Sequence, residues 1–143
     1  MREFTLGDLH SMRIWRPDAL VAPLDLVLTL ADQKQRGSFE LPDLSTAIVV
    51  LTRTEDSPLA DHHRDLLWYA FAVPVFEQLR DGDGNIAAVE CEVHDGLHLC
   101  HGQSLTPEGE LVVDPCPCGL ESARVRRYAN YKKPAAATMS RIR

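Results

Sequence analysis

TAIVVL, Thr46–Leu51, is the stretch on which the reading of this chain turns. Its apolar run has no polar alternation and carries β-branched residues at Ile48, Val49 and Val50, the pattern of a strand covered on both faces in a parallel sheet. Upstream, Ala19 to Ala22 reads as a short strand. From Pro23 onward, Leu24, Val27, Leu28 and Ala31 fall at helical spacing until Arg36-Gly37, a C-cap. A turn around Pro42-Asp43 leads into TAIVVL. Downstream, Ser57 is placed as an N-cap with Pro58 at the first helical position. The helix that follows puts Leu59, His63, Leu66, Leu67, Ala70 and Phe71 on one side and stops before Pro74. VPVFEQL, Val73–Leu79, is then a further strand. The order strand–helix–strand–helix–strand implies a parallel sheet with right-handed crossovers.

After the turn DGDGN, Asp81–Asn85, the character changes. IAAVECEV (Ile86–Val93), LHLCH (Leu97–His101) and GELVVD (Gly109–Asp114) are short runs separated by turns, as in a β-rich lobe. The expected fold class is therefore α/β: a small, mostly parallel sheet with flanking helices, followed by a β-rich lobe over residues 86–121. Residues 1–127 are expected to form a single domain, and residues 128–143 a basic, flexible C-terminal tail frayed from Met139 to Arg143.

The 143 residues, 45% apolar and 25% charged, have the balance of a globular chain. The longest apolar run, Ala19 to Ala31, is broken by Pro23 and Asp25, so no membrane span is expected. The opening MREFTLGDLHSM holds acids and no apolar h-region, so no signal peptide is expected and the compartment is expected to be cytoplasmic. Thiols there stay reduced.

That matters because CEVHDGLHLCH, Cys91–His101, packs two cysteines and three histidines into one short stretch, and PCPCG, Pro115–Gly119, follows. A bridge between Cys116 and Cys118, one residue apart, would be strained. Tetrahedral zinc takes four nitrogen or sulfur ligands, usually as two pairs that the fold brings together. Cys116 and Cys118 supply one pair on a tight turn. Cys91 supplies a third thiolate, and the fourth ligand is His94 or His98, with Cys100 and His101 in reserve. In a strand over Leu97 to Cys100, His98 and Cys100 share a face. Filled by four ligands, such a site is a structural zinc centre that leaves no position for water. A reactive thiol paired with histidine is disfavoured because no helix N-terminus or basic neighbour flanks Cys91.

The remaining candidates are weaker. His62-His63 reads as surface plus packing, Asp61 and Asp65 as a solvated acidic face, and Trp15 and Trp68 as core. Gly82 and Gly84 in DGDGN do not form a phosphate loop, because three acids surround or follow them and no Gly-Lys-Ser/Thr does. Net charge is −6, yet from Ser122 to Arg143 the chain has Arg124, Arg126, Arg127, Lys132, Lys133, Arg141 and Arg143 without one acid. This segment reads as solvated, or as lying on its own acidic body. The competing reading is an anchor for an anionic partner, in which Tyr128 and Tyr131 could stack on bases.

The strings AFAVPVFEQL, IAAVECEVHDGLHL, GELVV and CPCG, taken together, resemble the middle of phenylacetate–CoA ligase-like enzymes of the adenylate-forming superfamily. The similarity runs from Ile14 to Arg127 and corresponds to about a third of a full-length ligase; ECEVHDGLHL is its most specific part. Several members carry a structural zinc held by Cys, His and a Cys-x-Cys pair. The resemblance thus implies Cys91, Cys116 and Cys118 as ligands, with His98 or His94 as the fourth. It also implies what is lacking: the glycine-rich ATP-phosphate loop has no counterpart, TRTEDSP stands where an adenine-binding turn is expected, and Phe76-Glu77-Gln78-Leu79-Arg80 replaces the aromatic-Gly-x-Thr-Glu motif. The ribose-binding aspartate and the C-terminal lysine domain are missing as well. Adenylation requires neutralised phosphate charge and an aligned carboxylate. The expectation is accordingly a non-catalytic structural-zinc protein acting as a partner, small subunit or regulator of a larger enzyme, with a protein partner or its own copies covering exposed sheet edges. The alternative is a nucleotide- or CoA-binding subunit that completes another chain's active site, with Arg80, Arg126 and Arg127 meeting phosphate.

Overall fold

The structure, a computed structural model, describes residues 16–100 and 108–128. Its elements are β1 (Ala19–Pro23), α1 (Leu24–Gln35), β2 (Ala47–Arg53), α2 (Asp61–Phe71), β3 (Val75–Arg80), β4 (Ile86–Glu90), β5 (Leu97–Leu99), β6 (Glu110–Val112) and β7 (Arg124–Arg126). All seven strands join one sheet in the order β1-β2-β3-β4-β5-β7-β6. β1, β2 and β3 pair in parallel, and every later pairing is antiparallel. The chain is α/β with a strand-rich second half. That second half does not form a lobe beside the sheet; it extends the same sheet through β3 and β4.

Two crossovers that step the same way across a sheet place both helices on one face, and α1 and α2 indeed pack against each other. TAIVVL is therefore not covered equally on both sides. Ile48 and Val50 are fully buried beneath the helices, whereas Val49 and Leu51 on the opposite face are half-buried. The main core joins Leu20, Ala22, Val27, Leu30, Phe39, Ile48, Val50, Leu67 and Phe71. A second, much smaller cluster consists of Leu79, Ala87, Ala88, Leu97 and Val125.

The element ends follow local chemistry. Gly37 takes φ +75 just past α1, where a residue with a β-carbon would be strained. Asp81 folds the DGDGN turn by accepting the amides of Asp83 and Asn85 on Oδ1, each at 2.9 Å. Ser57 does not cap α2, contrary to the sequence reading; the helix starts at Asp61 behind Ala60, without a side-chain cap. Trp68 is also misplaced by that reading: it is 56% exposed, and its neighbours Leu67 and Phe71 take the core positions. Leu66, assigned to the buried side, is 40% exposed. Trp15 lies outside the described residues, as does the chain beyond Tyr128. Among the described residues no helix is long and apolar enough to cross a membrane.

Arg124, Arg126 and Arg127 are built into the fold. Arg127 reaches back under β2 and β3: its Nη1 donates to Glu77 Oε1 at 3.1 Å, and its Nη2 donates to the carbonyls of Asp56 and Arg53 at 2.7 and 3.2 Å. Thr52 donates its hydroxyl to the same Glu77 oxygen at 2.6 Å. The Glu77 and Arg127 side chains are only 5% and 7% exposed. Removing one partner from such a pair strands the other charge in the interior. Arg127→Ala is expected to lower unfolding free energy by about 3–5 kcal/mol in urea titrations. The double variant Glu77→Gln/Arg127→Met should lose clearly less than the single one.

Candidate metal centre

At the end of β4 the strand leaves β3. The Glu77 amide, which a longer ladder would have paired with β4 backbone, instead donates to Glu90 Oε2 at 2.7 Å. Arg64 Nη1 reaches the same oxygen at 2.9 Å. Beyond Glu90 the chain enters a tight turn in which the His94 amide donates to the Cys91 carbonyl at 3.0 Å. His94 itself has φ +56, a left-handed conformation uncommon for a residue with a β-carbon. Gly96, at φ +82, completes the return toward β5; a β-carbon there would sit 3.1 Å from the Val125 carbonyl oxygen.

This path places Cys91 before the turn and His98 in the middle of β5, on the side from which the Cys116–Gly119 turn approaches. That second turn closes through the Gly119 amide on the Cys116 carbonyl at 3.0 Å, with Gly119 at φ +90. The donor atoms of Cys91, His98, Cys116 and Cys118 all lie within 4.8 Å of one another. Cys91, His98 and Cys116 are buried, and Cys118 is half-buried. The Cys91 and Cys116 sulfurs are 3.7 Å apart, and Cys118 Sγ is 3.3 Å from His98 Nε2. A tetrahedral ion with metal–sulfur bonds of about 2.3 Å separates its sulfurs by about 3.7–3.8 Å. The Cys91–Cys116 separation matches that spacing, and the four donors are close enough to hold a metal ion. All four described cysteines are free.

The surroundings prepare these atoms for a cation. His98 Nδ1 lies 3.2 Å from the Ser122 carbonyl and 3.1 Å from its hydroxyl. A ring proton on Nδ1 would be donated to that carbonyl and would leave the Nε2 lone pair facing the sulfurs. Each sulfur meets the amide two residues ahead: Val93 for Cys91, Cys118 for Cys116, and Leu120 for Cys118 at 3.4 Å. The Cys118 amide, first among several hydrogen bonds, pulls the Cys116 thiol down to about 7. Burial pushes the Cys91 thiol up to about 11. A cation held between the sulfurs would favour the thiolate form.

Of the residues singled out from sequence, the structure brings together Cys91, His98, Cys116 and Cys118. It does not bring in His94, whose Nδ1 lies 3.1 Å from Glu90 Oε1 and whose ring stacks on Phe76 at 5.1 Å. Cys100 follows β5, binds the Ala87 carbonyl through its amide, and stands apart from the group. His101 lies outside the described residues. The rings of His62 and His63 on α2 lie 4.0 Å apart, tilted at 45° to each other, and neither joins the cysteine group.

Sequence reasoning missed Asp95. It receives Arg126 Nε on Oδ1 at 2.7 Å and Arg124 Nη1 on Oδ2 at 3.0 Å, which ties the turn between Cys91 and His98 to β7. The Arg126 hydrogen bond, with help from Arg124, holds its carboxyl down at about 2. Because the folded value is depressed, the stabilisation is fully present above the ordinary carboxylate range and is lost as pH falls through about 4 toward about 2. Acid titrations of stability should therefore steepen in that window, and Asp95→Asn should flatten them. His98→Ala is expected to abolish metal retention on gel filtration, whereas His94→Ala should retain the metal, as read by elemental analysis. No protein-family model matches the chain and no curated protein compared with it does, so the reading of this centre rests on its own geometry.

Proposed function

We propose that this is a non-catalytic protein stabilised by a structural zinc ion and acting as a partner, small subunit or regulator of a larger enzyme. The observation that carries the reading is the set of four donors, three thiols and one imidazole nitrogen, within 4.8 Å of one another. Thiolate and imidazole ligands in tetrahedral array suit zinc, and a site whose four positions are all protein ligands has no open position for water. Its contribution is then to folding free energy. The small size of the second core cluster supports this role, since a few apolar side chains hold little of the sheet beyond β4. The resemblance to the central part of a CoA-ligase-like adenylation domain belongs to the same proposal, as the ancestry of a core without ATP motifs.

The competing reading, a nucleotide- or CoA-binding subunit, needs cations available for phosphate. Arg126 is paired with Asp95 and lies 3.7 Å from Glu110; Arg127 is paired with Glu77. Arg80 donates to Gln78 and to the Gly84 carbonyl. These commitments favour the structural reading. The anionic-partner reading likewise loses Arg124, Arg126 and Arg127 to internal pairs, and Lys132, Lys133, Arg141 and Arg143 lie outside the described residues.

Purified protein should contain close to one zinc per chain by mass spectrometry. Removing it with a strong chelator is expected to lower the thermal midpoint by roughly 10 °C or more, with recovery on adding zinc back. Metal content well below one per chain, or an unchanged melting curve after removal, would overturn the proposal.

A further inference from the structure

The two faces of α2 have different company. Leu67, Ala70 and Phe71 enter the core, and Arg64 turns inward to Glu90. Asp61, Asp65, Trp68 and Tyr69 recur at i, i+4, i+7 and i+8 and so form one outward stripe. Along it Trp68 is 56% exposed and Tyr69 83%. Single exposed apolar residues are ordinary, but two consecutive aromatic side chains both turned outward on one stripe are of the kind that marks contact surfaces. Next to it runs a furrow of about 370 Å³ lined by Arg64, Asp65, Trp68, Pro74, Val75 and His94. Its size suits one apolar side chain. Among the described residues neither Asp61 nor Asp65 has an ion-pair partner.

From this we infer that the outward stripe of α2 is the docking surface for a partner protein, and that the partner presents Lys or Arg residues flanking an apolar anchor. Charge complementarity selects that occupant. Asp65 stands one helical turn, and Asp61 two, from the two aromatic side chains, and a guanidinium or ammonium group near Asp65 gains from carboxylate and ring at once. A second copy of this chain is disfavoured, since the stripe holds no outward cation and self-pairing would set carboxylate near carboxylate. The net charge of −6 acts in the same direction by steering cationic surfaces toward the chain. The inference rests on reading the protein as a partner of a larger assembly, and it adds which face is used and what chemistry meets it.

The test pans a displayed library of short random peptides against the full chain, with zinc content measured on the same preparation. Selected peptides should carry basic residues beside a Leu, Phe or Met anchor. Their affinity should fall about tenfold with Trp68→Ala. It should fall less, and lose its salt dependence, with Asp61→Asn/Asp65→Asn. Because these side chains are exposed, unchanged thermal melts verify that the variants fold. The surface is overturned if no peptide is selected, if the selected peptides lack basic residues, or if they bind both variants as well as the parent. It is also overturned if the chain dimerises in sedimentation and Trp68→Ala makes it monomeric. Zinc-loaded protein that selects nothing removes the surface and leaves the metal reading; zinc-free protein that selects such peptides does the reverse.

Discussion

Among the described residues, the buried cluster that packs the sheet from β3 onward joins five apolar side chains, Leu79, Ala87, Ala88, Leu97 and Val125, and two of them are alanines. At about 25 cal/mol per Å² of apolar surface removed from water, a cluster of that size offsets little of the conformational entropy of ordering β4 to β7 and their turns. Everything else in this half follows from that shortage. The strands are short, three residues each for β5, β6 and β7, so backbone pairing is limited as well. Order must come from interactions that cross between turns, and among the described residues two such sets stand out: the thiol–imidazole cluster and the arginines of β7.

These two sets act on the same segment. Cys91 and His98 bracket the turn that carries His94, Asp95 and Gly96, so a metal ion held by them closes that turn at both ends. Asp95 at its tip is gripped by Arg124 and Arg126 from β7. The Arg124 side chain is 4% exposed, and its Nη1 also donates to the Asp95 carbonyl at 2.8 Å. The arginine therefore serves backbone and carboxylate together, as its forked geometry allows. A charge run that reads in sequence as part of a basic tail is, in its first half, paired internally with the carboxylates of Asp95 and Glu77.

How much of this is legible beforehand differs by element. The parallel half is legible because its signals are local: an uninterrupted β-branched run, helical spacing of Leu24, Val27 and Ala31, a glycine after α1. What the run in β2 does not disclose is that both helices share one face, since strand order, and with it the side each crossover takes, is a property of the whole sheet. The Cys-x-Cys pair and Cys91 are legible as potential ligands by residue type. The choice between His94 and His98 is not, because both stand at workable spacings; it is decided by the left-handed turn at His94 and by the Ser122 carbonyl that orients His98. Asp95 is invisible in sequence because its partners lie 29 and 31 positions away. Trp68 misleads for a different reason: large aromatic residues are usually buried, and nothing in the spacing distinguishes one that is turned outward.

The two halves of the molecule are joined by more than a shared strand. Glu90, one residue before the first cysteine, is 3% exposed and bound by Arg64 of α2 and the Glu77 amide of β3. Glu77 is in turn held by Arg127, which follows β7. A carboxylate this deeply placed needs its full complement of donors, because an unmatched buried charge costs several kcal/mol. Glu90 can keep that complement only while the turn from Cys91 to His98 holds its shape, and that turn is the segment the four-donor cluster fixes. The register of α2 against β3, through Arg64, is thus coupled to the geometry of the thiols. A metal ion held by the four donors would then bear, through Glu90 and Arg64, on the placement of α2 against β3.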